Sequence, residues 1–238
     1  MAEAAANIPA YRMRRALPFL IIIGVVLLAL GAGIVLFHYR ARPPATAVAR
    51  AVYGRPGAEP PHVRGDAAAP VQLEEFGDFE CLPCSLLWPV LEKLEHDYGK
   101  RLVVVFRQHP LKKHRYALDA ARATEAAGLQ GRFWEMHDAL YRNRNTWVPA
   151  EYIGPYFNDY AAEVGLDFDR FKTDMQGAEV ARRIAADLDR SESLGINRTP
   201  VLYLNGEEVP VTAHNQKGLA EKIDKALGTP SVPNAARQ

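Results

Sequence analysis

Apolar and polar positions divide the chain into three regions with different periods. Ala16 to Phe37 is an unbroken apolar run of 22 residues without a charge. At about 1.5 Å per residue it is long enough to cross a hydrocarbon core of about 30 Å as a helix. Arg12, Arg14 and Arg15 stand just before it. The positive-inside rule therefore predicts a cytoplasmic N-terminus (1–15), a single-pass anchor (16–38) and an extracytoplasmic remainder. Arg40 and Arg42 weaken this asymmetry, but long domains translocate largely regardless of charge. A cleaved signal peptide is the alternative, although its apolar region would be shorter; Ala45-Thr46-Ala47 is a small-x-small site well past the run. A buried soluble helix is the other. Residues 39–68 have no sustained period and contain Pro43-Pro44, Pro56-Gly57 and Pro60-Pro61, so they read as a semi-extended linker.

From position 69 the pattern is that of a folded domain, expected over 69–228. Val71 to Phe76 is an opening strand. Ser85 to Tyr98 has a helical period, with Leu86, Leu87, Val90, Leu91 and Leu94 on one side, a bend expected at Pro89 and a stop at Gly99. Leu102 to Phe106 is a continuous apolar run, as in a strand covered on both faces. A strand, a helix and a strand in this order predict a parallel unit with a crossover helix. The middle, about 112–195, is helical throughout: Tyr116–Ala127, Gly131–Asn143, Ala150–Val164 with a break at Pro155, Phe168–Gln176 and Ala178–Leu194. Phe133, Trp134 and Trp147 are expected in the core of this insert. Val201–Leu204 and Glu208–Val211 form a hairpin about Asn205-Gly206. Gln216–Leu227 is the closing amphipathic helix, and 229–238 reads as a disordered tail.

Composition narrows the function mainly by exclusion. Lys plus Arg number 29 and Asp plus Glu 28, so there is no electrostatic case for nucleic acid or an acidic substrate. The two cysteines are too few for a disulfide scaffold, and both lie in Phe76-Gly77-Asp78-Phe79-Glu80-Cys81-Leu82-Pro83-Cys84. A Cys-x-x-Cys at a strand-to-helix junction can close a disulfide, while the helix N-terminus lowers the pKa of the first thiol. Cys81 is the candidate nucleophile and Cys84 the resolving thiol. A structural disulfide or half of a zinc site are the alternatives, but no histidine pair after the motif has zinc-finger spacing. Leu82 and Pro83 fill the spacer, and Pro83 suits an early helical position. Asp78 and Glu80 are expected to be solvated, and His109, His114 and His137 to be packing or surface residues.

Four further stretches fall in an order that resembles the DsbA-like branch of the thioredoxin superfamily. They are Phe76 to Cys81, Val104 to Leu111, Ala120 to Met136, and Leu194-Gly195-Ile196-Asn197-Arg198-Thr199-Pro200. The resemblance implies a thioredoxin fold with a central mixed four-stranded sheet and an inserted helical subdomain. It implies a cis Thr199-Pro200 bond that sets the Thr199 backbone beside Cys81 to receive an extended substrate. An acidic residue six positions before the first cysteine, here Glu75, would help move the proton of the second thiol. Strand parity leaves Glu74 as the alternative, and a solvated strand residue as the plain reading. The best-known strongly oxidising members hold a histidine in the spacer; Leu82-Pro83 does not, which removes one source of thiolate stabilisation. The implied protein is a monomeric periplasmic or extracytoplasmic thiol-disulfide oxidoreductase on the inner membrane, with no cofactor. Its implied partners are reduced exported proteins and a membrane redox protein of the DsbB or VKOR type. A reductase or isomerase of the same fold, or a non-catalytic binding module, are the alternatives.

Overall fold

The computed structural model describes residues 55–228. The predicted anchor 16–38, most of the predicted linker and the tail 229–238 lie outside the described residues. Among the described residues no helix is long and apolar enough to cross a membrane.

The centre of the domain is a parallel pair, β2 (Val71–Gly77) and β3 (Leu102–Gln108), whose residues are almost all buried. Burial on both faces is why neither strand alternates cleanly in sequence. α1 (Leu82–Tyr98) makes the crossover between them. β4 (Val201–Leu204) adds antiparallel to the other side of β2, and β5 (Glu207–Val209) returns beside it. Asn205 and Gly206 both have positive φ, 44° and 82°, the conformation that a two-residue hairpin of this twist demands and that Asn-Gly adopts at low cost.

The sheet has five strands, in the order β1-β3-β2-β4-β5, rather than the four expected. The extra strand, β1 (His62–Gly65), lies inside the stretch read as linker and pairs antiparallel with β3. Its sequence, His-Val-Arg-Gly, has no apolar alternation to announce it. Tertiary contacts make it a strand: the Trp134 indole N–H donates to Val63 O at 2.7 Å, and the His62 ring stacks on Phe133 at 3.5 Å.

α1 begins at Leu82, three residues before the expected start, and continues through Pro89 to Tyr98. Its buried face is Cys84, Leu87, Leu91, Leu94 and Tyr98. Leu87, Leu91, Leu94 and Tyr98 pack with Leu219 and Ile223 of α8 (Gln216–Leu227) over Val71, Leu73, Val104 and Leu202, while Cys84 faces the insert core. Leu86 is not on that face: it is 65 % exposed, one turn beyond the 48 % exposed Leu82.

The insert comprises α2 (Ala117–Gly128), α3 (Phe133–Arg142), α4 (Arg144–Trp147), α5 (Gly154–Glu163), α6 (Phe168–Met175) and α7 (Ala178–Ser193). The alanines of α2 let neighbouring helices close around it, with Met136, Leu140, Trp147, Phe157 and Phe171 filling the core. The short α4 was not expected. Pro155 opens α5 instead of breaking a longer helix, because the first helical turn has no use for the N–H that proline lacks. β5 stops at Val209, before Pro210, and Val211–Ala213 is a 3-10 turn rather than strand.

A buried ionic network ties α7 to the sheet. Glu74 accepts from Arg107 Nε at 2.8 Å and from Arg190 Nε and Nη2 at 2.9 and 2.6 Å. Arg107 also reaches Asp187 at 3.2 Å, and Asp187 accepts from the Gln108 N–H. The network extends to the segment before β1: Arg190 donates to Arg55 O, Arg107 to Ala58 O, and Ala58 N–H to Asp187. A second cluster, Arg183–Glu125–His62, clamps Glu59 and Pro60 through their carbonyls.

Candidate active site

Cys81 is the last residue before α1, with extended backbone angles (φ −69°, ψ 119°), and Cys84 lies in the first helical turn. This places Cys81 where helical N–H groups have no intrahelical partner. Its own N–H bonds Asp78 O at 3.1 Å. Its Sγ lies 3.5 Å from Thr199 O, and the Thr199-Pro200 peptide is cis. The strand-end loop carrying Thr199 and the helix carrying Cys81 thus meet at one sulfur. Both thiols are free; Cys81 is 5 % exposed and Cys84 fully buried. Leu82 and Pro83 stand exposed between them. Among the described residues no three or more His, Cys, Asp or Glu side chains gather as a metal site would.

The two sulfurs have opposite acidities. The Cys81 pKa is pulled down to about 6, chiefly by the Cys84 thiol beside it, with help from Thr199 and the Cys84 backbone N–H and against its own burial and the Asp78 charge. Cys84 is pushed well above the usual thiol range by burial first, and then by Cys81 and Glu75. A stable thiolate on one sulfur and a proton held on the other is the division of labour that thiol-disulfide exchange needs.

Of the two adjacent glutamates, Glu75 is the one that faces the thiols. Glu74 is held by arginines on the other face; burial raises its pKa, but Arg190 and Arg107 outweigh that and keep it low. Glu75 is 2 % exposed, and among the described residues its Oε1 has no hydrogen-bond partner. Burial, with the Cys81 charge second, pushes its pKa up to about 8. It lines a cavity of about 10 Å³, room for one water, with Trp88, Val104 and His137. Glu92 and Glu95 also line this cavity and are partly exposed, so a proton on Glu75 has a short route to solvent.

A raised folded-state pKa gives a definite sign. Stability from protonated Glu75 is fully present below its unfolded value of 4.5 and is lost as pH rises through about 8. Glu75→Gln is therefore expected to match the wild type below pH 4.5 and to exceed it above pH 8, by on the order of a few kcal/mol. Thermal unfolding of the reduced protein across that range checks this, and a flat difference would refute the burial argument.

Asp78 corrects the sequence expectation, because it is not solvated, whereas Glu80 is half-buried. Asp78 is 1 % exposed. Glu80 accepts from the Tyr116 N–H at 2.6 Å, and its carbonyl takes two bonds from Arg144. Apart from the Glu80 N–H, which bonds Asp78, their donors come from residues 111–116 and 144, too distant in sequence to be foreseen. Gly77 precedes Asp78 at a point where a Cβ would overlap the Phe106 ring and crowd the Tyr141 hydroxyl. That hydroxyl is itself buried without a hydrogen-bond partner among the described residues. The histidines are internal as well as superficial: His109 bonds Ser191, His114 bonds Asp78, and His137 bonds Asp138 inside an aromatic cluster with Phe79, Phe106 and Tyr141. Burial lowers the His137 pKa to about 4. Asp78, His114, Tyr141 and Arg144 are site residues that sequence reasoning missed; proximity of Asp78 to Cys81 was the one available signal.

Comparison with known proteins agrees with this geometry. The profile of the family described as Thioredoxin matches residues 58–225. A Na(+)/H(+) antiporter NhaA 1 of Mycolicibacterium gilvum is 38 % identical over 149 residues, 61 % of this chain and 23 % of the relative. A second NhaA 1, from Salinispora arenicola, is 37 % identical over 179 residues, 74 % of this chain and 26 % of the relative. The chain thus spans about a quarter of the length of these curated relatives. Among solved structures, a thioredoxin-like oxidoreductase from Silicibacter pomeroyi superposes with a TM-score of 0.59 at 28 % identity, covering 71 % of this chain and 94 % of that one. BdbD from Bacillus subtilis superposes at 0.61 and 23 % identity, covering 74 % and 99 %. With the paired thiols at the helix start and a family match over most of its length, this chain belongs to the thioredoxin family, and its fold is that of the DsbA-like thiol-disulfide oxidoreductases.

Proposed function

We propose that this protein is a membrane-tethered, extracytoplasmic oxidoreductase that forms disulfides in exported proteins. The observation that carries this reading is the asymmetry of the thiol pair, with Cys81 at the helix start against Thr199 O and Cys84 buried beside Glu75. A substrate thiolate attacks Cys81 Sγ of the oxidised pair. The Cys81–Cys84 bond breaks, and its electron pair leaves on Cys84, which takes a proton from the Glu75 carboxyl. A second substrate thiolate then attacks the substrate sulfur of the mixed disulfide, and Cys81 departs as a thiolate. The substrate has lost two electrons, and the enzyme holds them as a dithiol. A low Cys81 pKa favours both its departure and the oxidising direction.

The extended substrate would pair with the backbone at Thr199 before Pro200, flanked by the exposed Leu82, Pro83 and Leu86. The tether is supported by the apolar run 16–37 and its preceding arginines. Relatives named as Na(+)/H(+) antiporters, in which a stretch similar to this one makes up about a quarter of the length, fit a membrane setting. Reoxidation would fall to a membrane partner of the DsbB or VKOR type, by family resemblance. One feature favours the opposite direction, a reductase or isomerase: the buried Asp78 charge works against the Cys81 thiolate.

Equilibration of the purified protein with glutathione decides between the directions. An oxidase is expected to have a potential well above the roughly −270 mV of thioredoxin, and Cys81/Cys84 should be mostly oxidised in cells by alkylation trapping. A thioredoxin-like value with efficient insulin reduction would sink the oxidase reading.

A further inference from the structure

We propose that Asp78 and His114 act as an opposed pair that sets the thiolate stability of Cys81, and through it the redox poise of the site. The inference deepens the reading of Cys81/Cys84 as an exchange centre and rests on it. Asp78 is three residues before Cys81, and its carbonyl accepts from the Cys81 N–H. Its buried carboxylate is held by donors from separate places. Oδ1 accepts from the Glu80 N–H at 2.8 Å, and Oδ2 from the Leu111 N–H and His114 Nδ1, each at 2.8 Å.

A carboxylate taken out of water needs such donors to remain ionised. Once ionised, it repels the negative charge that Cys81 develops as it leaves a mixed disulfide. The charge of Asp78 raises the Cys81 pKa against the lowering by Cys84 and Thr199. His114 is the only side chain among the three donors. It sits 20 % exposed on the loop after β3, so it can offset the carboxylate while in touch with solvent.

The two residues should therefore move Cys81 in opposite directions. In the full-length protein, Asp78→Asn is expected to lower the Cys81 pKa and shift the glutathione equilibrium toward a more oxidising pair. His114→Ala leaves the Glu80 and Leu111 N–H groups to keep the carboxylate ionised but removes the donor that offsets its charge, so it is expected to raise the pKa and shift the equilibrium the other way. Each effect should be about threefold to tenfold in thiolate fraction. Because His114 acts through Asp78, the double variant should resemble Asp78→Asn alone, a coupling that additive structural damage would not produce. Ultraviolet thiolate absorbance and glutathione equilibration provide the readings, with circular dichroism to verify folding. If His114→Ala fails to fold, His114→Phe, which also lacks a donor to Asp78, takes its place. Shifts of the same sign, no shift, or simple additivity overturn the inference. A strongly reducing wild-type potential would instead overturn the oxidase reading, while opposite-signed shifts would still support the pair.

Discussion

Cys84→Ala, incubated with oxidised glutathione, is expected to hold one glutathionyl group on Cys81, while Cys81→Ala holds none. Cys81 is the sulfur that meets the Thr199 loop and has the stabilised thiolate. It attacks the glutathione disulfide, one glutathione leaves as a thiolate, and the mixed disulfide remains because no second thiol can resolve it. In Cys81→Ala the remaining sulfur is fully buried and keeps its proton, so it presents neither access nor a nucleophile. Either substitution should abolish catalysed disulfide exchange. Intact-mass measurement after acid quenching reads the adduct. An adduct on Cys84 in preference to Cys81 would reverse the assigned roles, and a cellular function left intact by Cys81→Ala would leave only a non-catalytic module.

Arg190→Ala should be the most damaging substitution away from the thiols. It removes two of the three bonds to the Glu74 carboxylate and the bond to Arg55 O. Breaking one side of a buried ion pair costs about 3–5 kcal/mol, because the surviving charge stays desolvated. That is a large share of the 5–15 kcal/mol typical of a domain and corresponds to a Tm loss of roughly 6–20 °C. The pH dependence has a sign too. The folded-state pKa of Glu74 is depressed, so the stability it contributes is present above the unfolded value of 4.5 and is lost as pH falls below it. The gap between wild type and Arg190→Ala should therefore narrow in acid. Thermal denaturation at several pH values tests both statements, and a loss below about 1 kcal/mol, the worth of an exposed pair, would contradict them.

What was legible in the sequence was what local chemistry determines. Leu102 to Phe106 announces a doubly covered strand, Asn205-Gly206 a tight hairpin, and the spacing of Cys81 and Cys84 a redox pair at a helix start. The family offset singles out Glu75, and its strand parity with Val71 and Leu73 turns it toward the core. Features made by distant partners were not legible. β1 is a strand because β3 offers it an edge and Trp134 and Phe133 hold it. Asp78 is buried because donors from Leu111 and His114 converge on it. Glu74 is as buried as Glu75, yet its role is set by arginines 33 and 116 positions away. Leu86 fits the apolar count of α1 but falls on the side of Leu82, so the helix presents its exposed leucines next to the reactive sulfur.

The fifth strand also changes what the sheet offers to an unfolded chain. A client with exposed strand-forming segments can pair with any open edge, and such pairing leads toward aggregation. β1 covers the flank of β3, and one of its own carbonyls, Val63 O, is taken by the Trp134 indole. On the opposite flank, β5 is only three residues long and carries Glu207 and Glu208 exposed, with Glu208 paired to Arg198. Short, charged or occupied borders discourage adventitious strand addition. Under the proposed function, the backbone beside Thr199 is then the place where an extended client can be received, so that lateral docking and sulfur chemistry occur together.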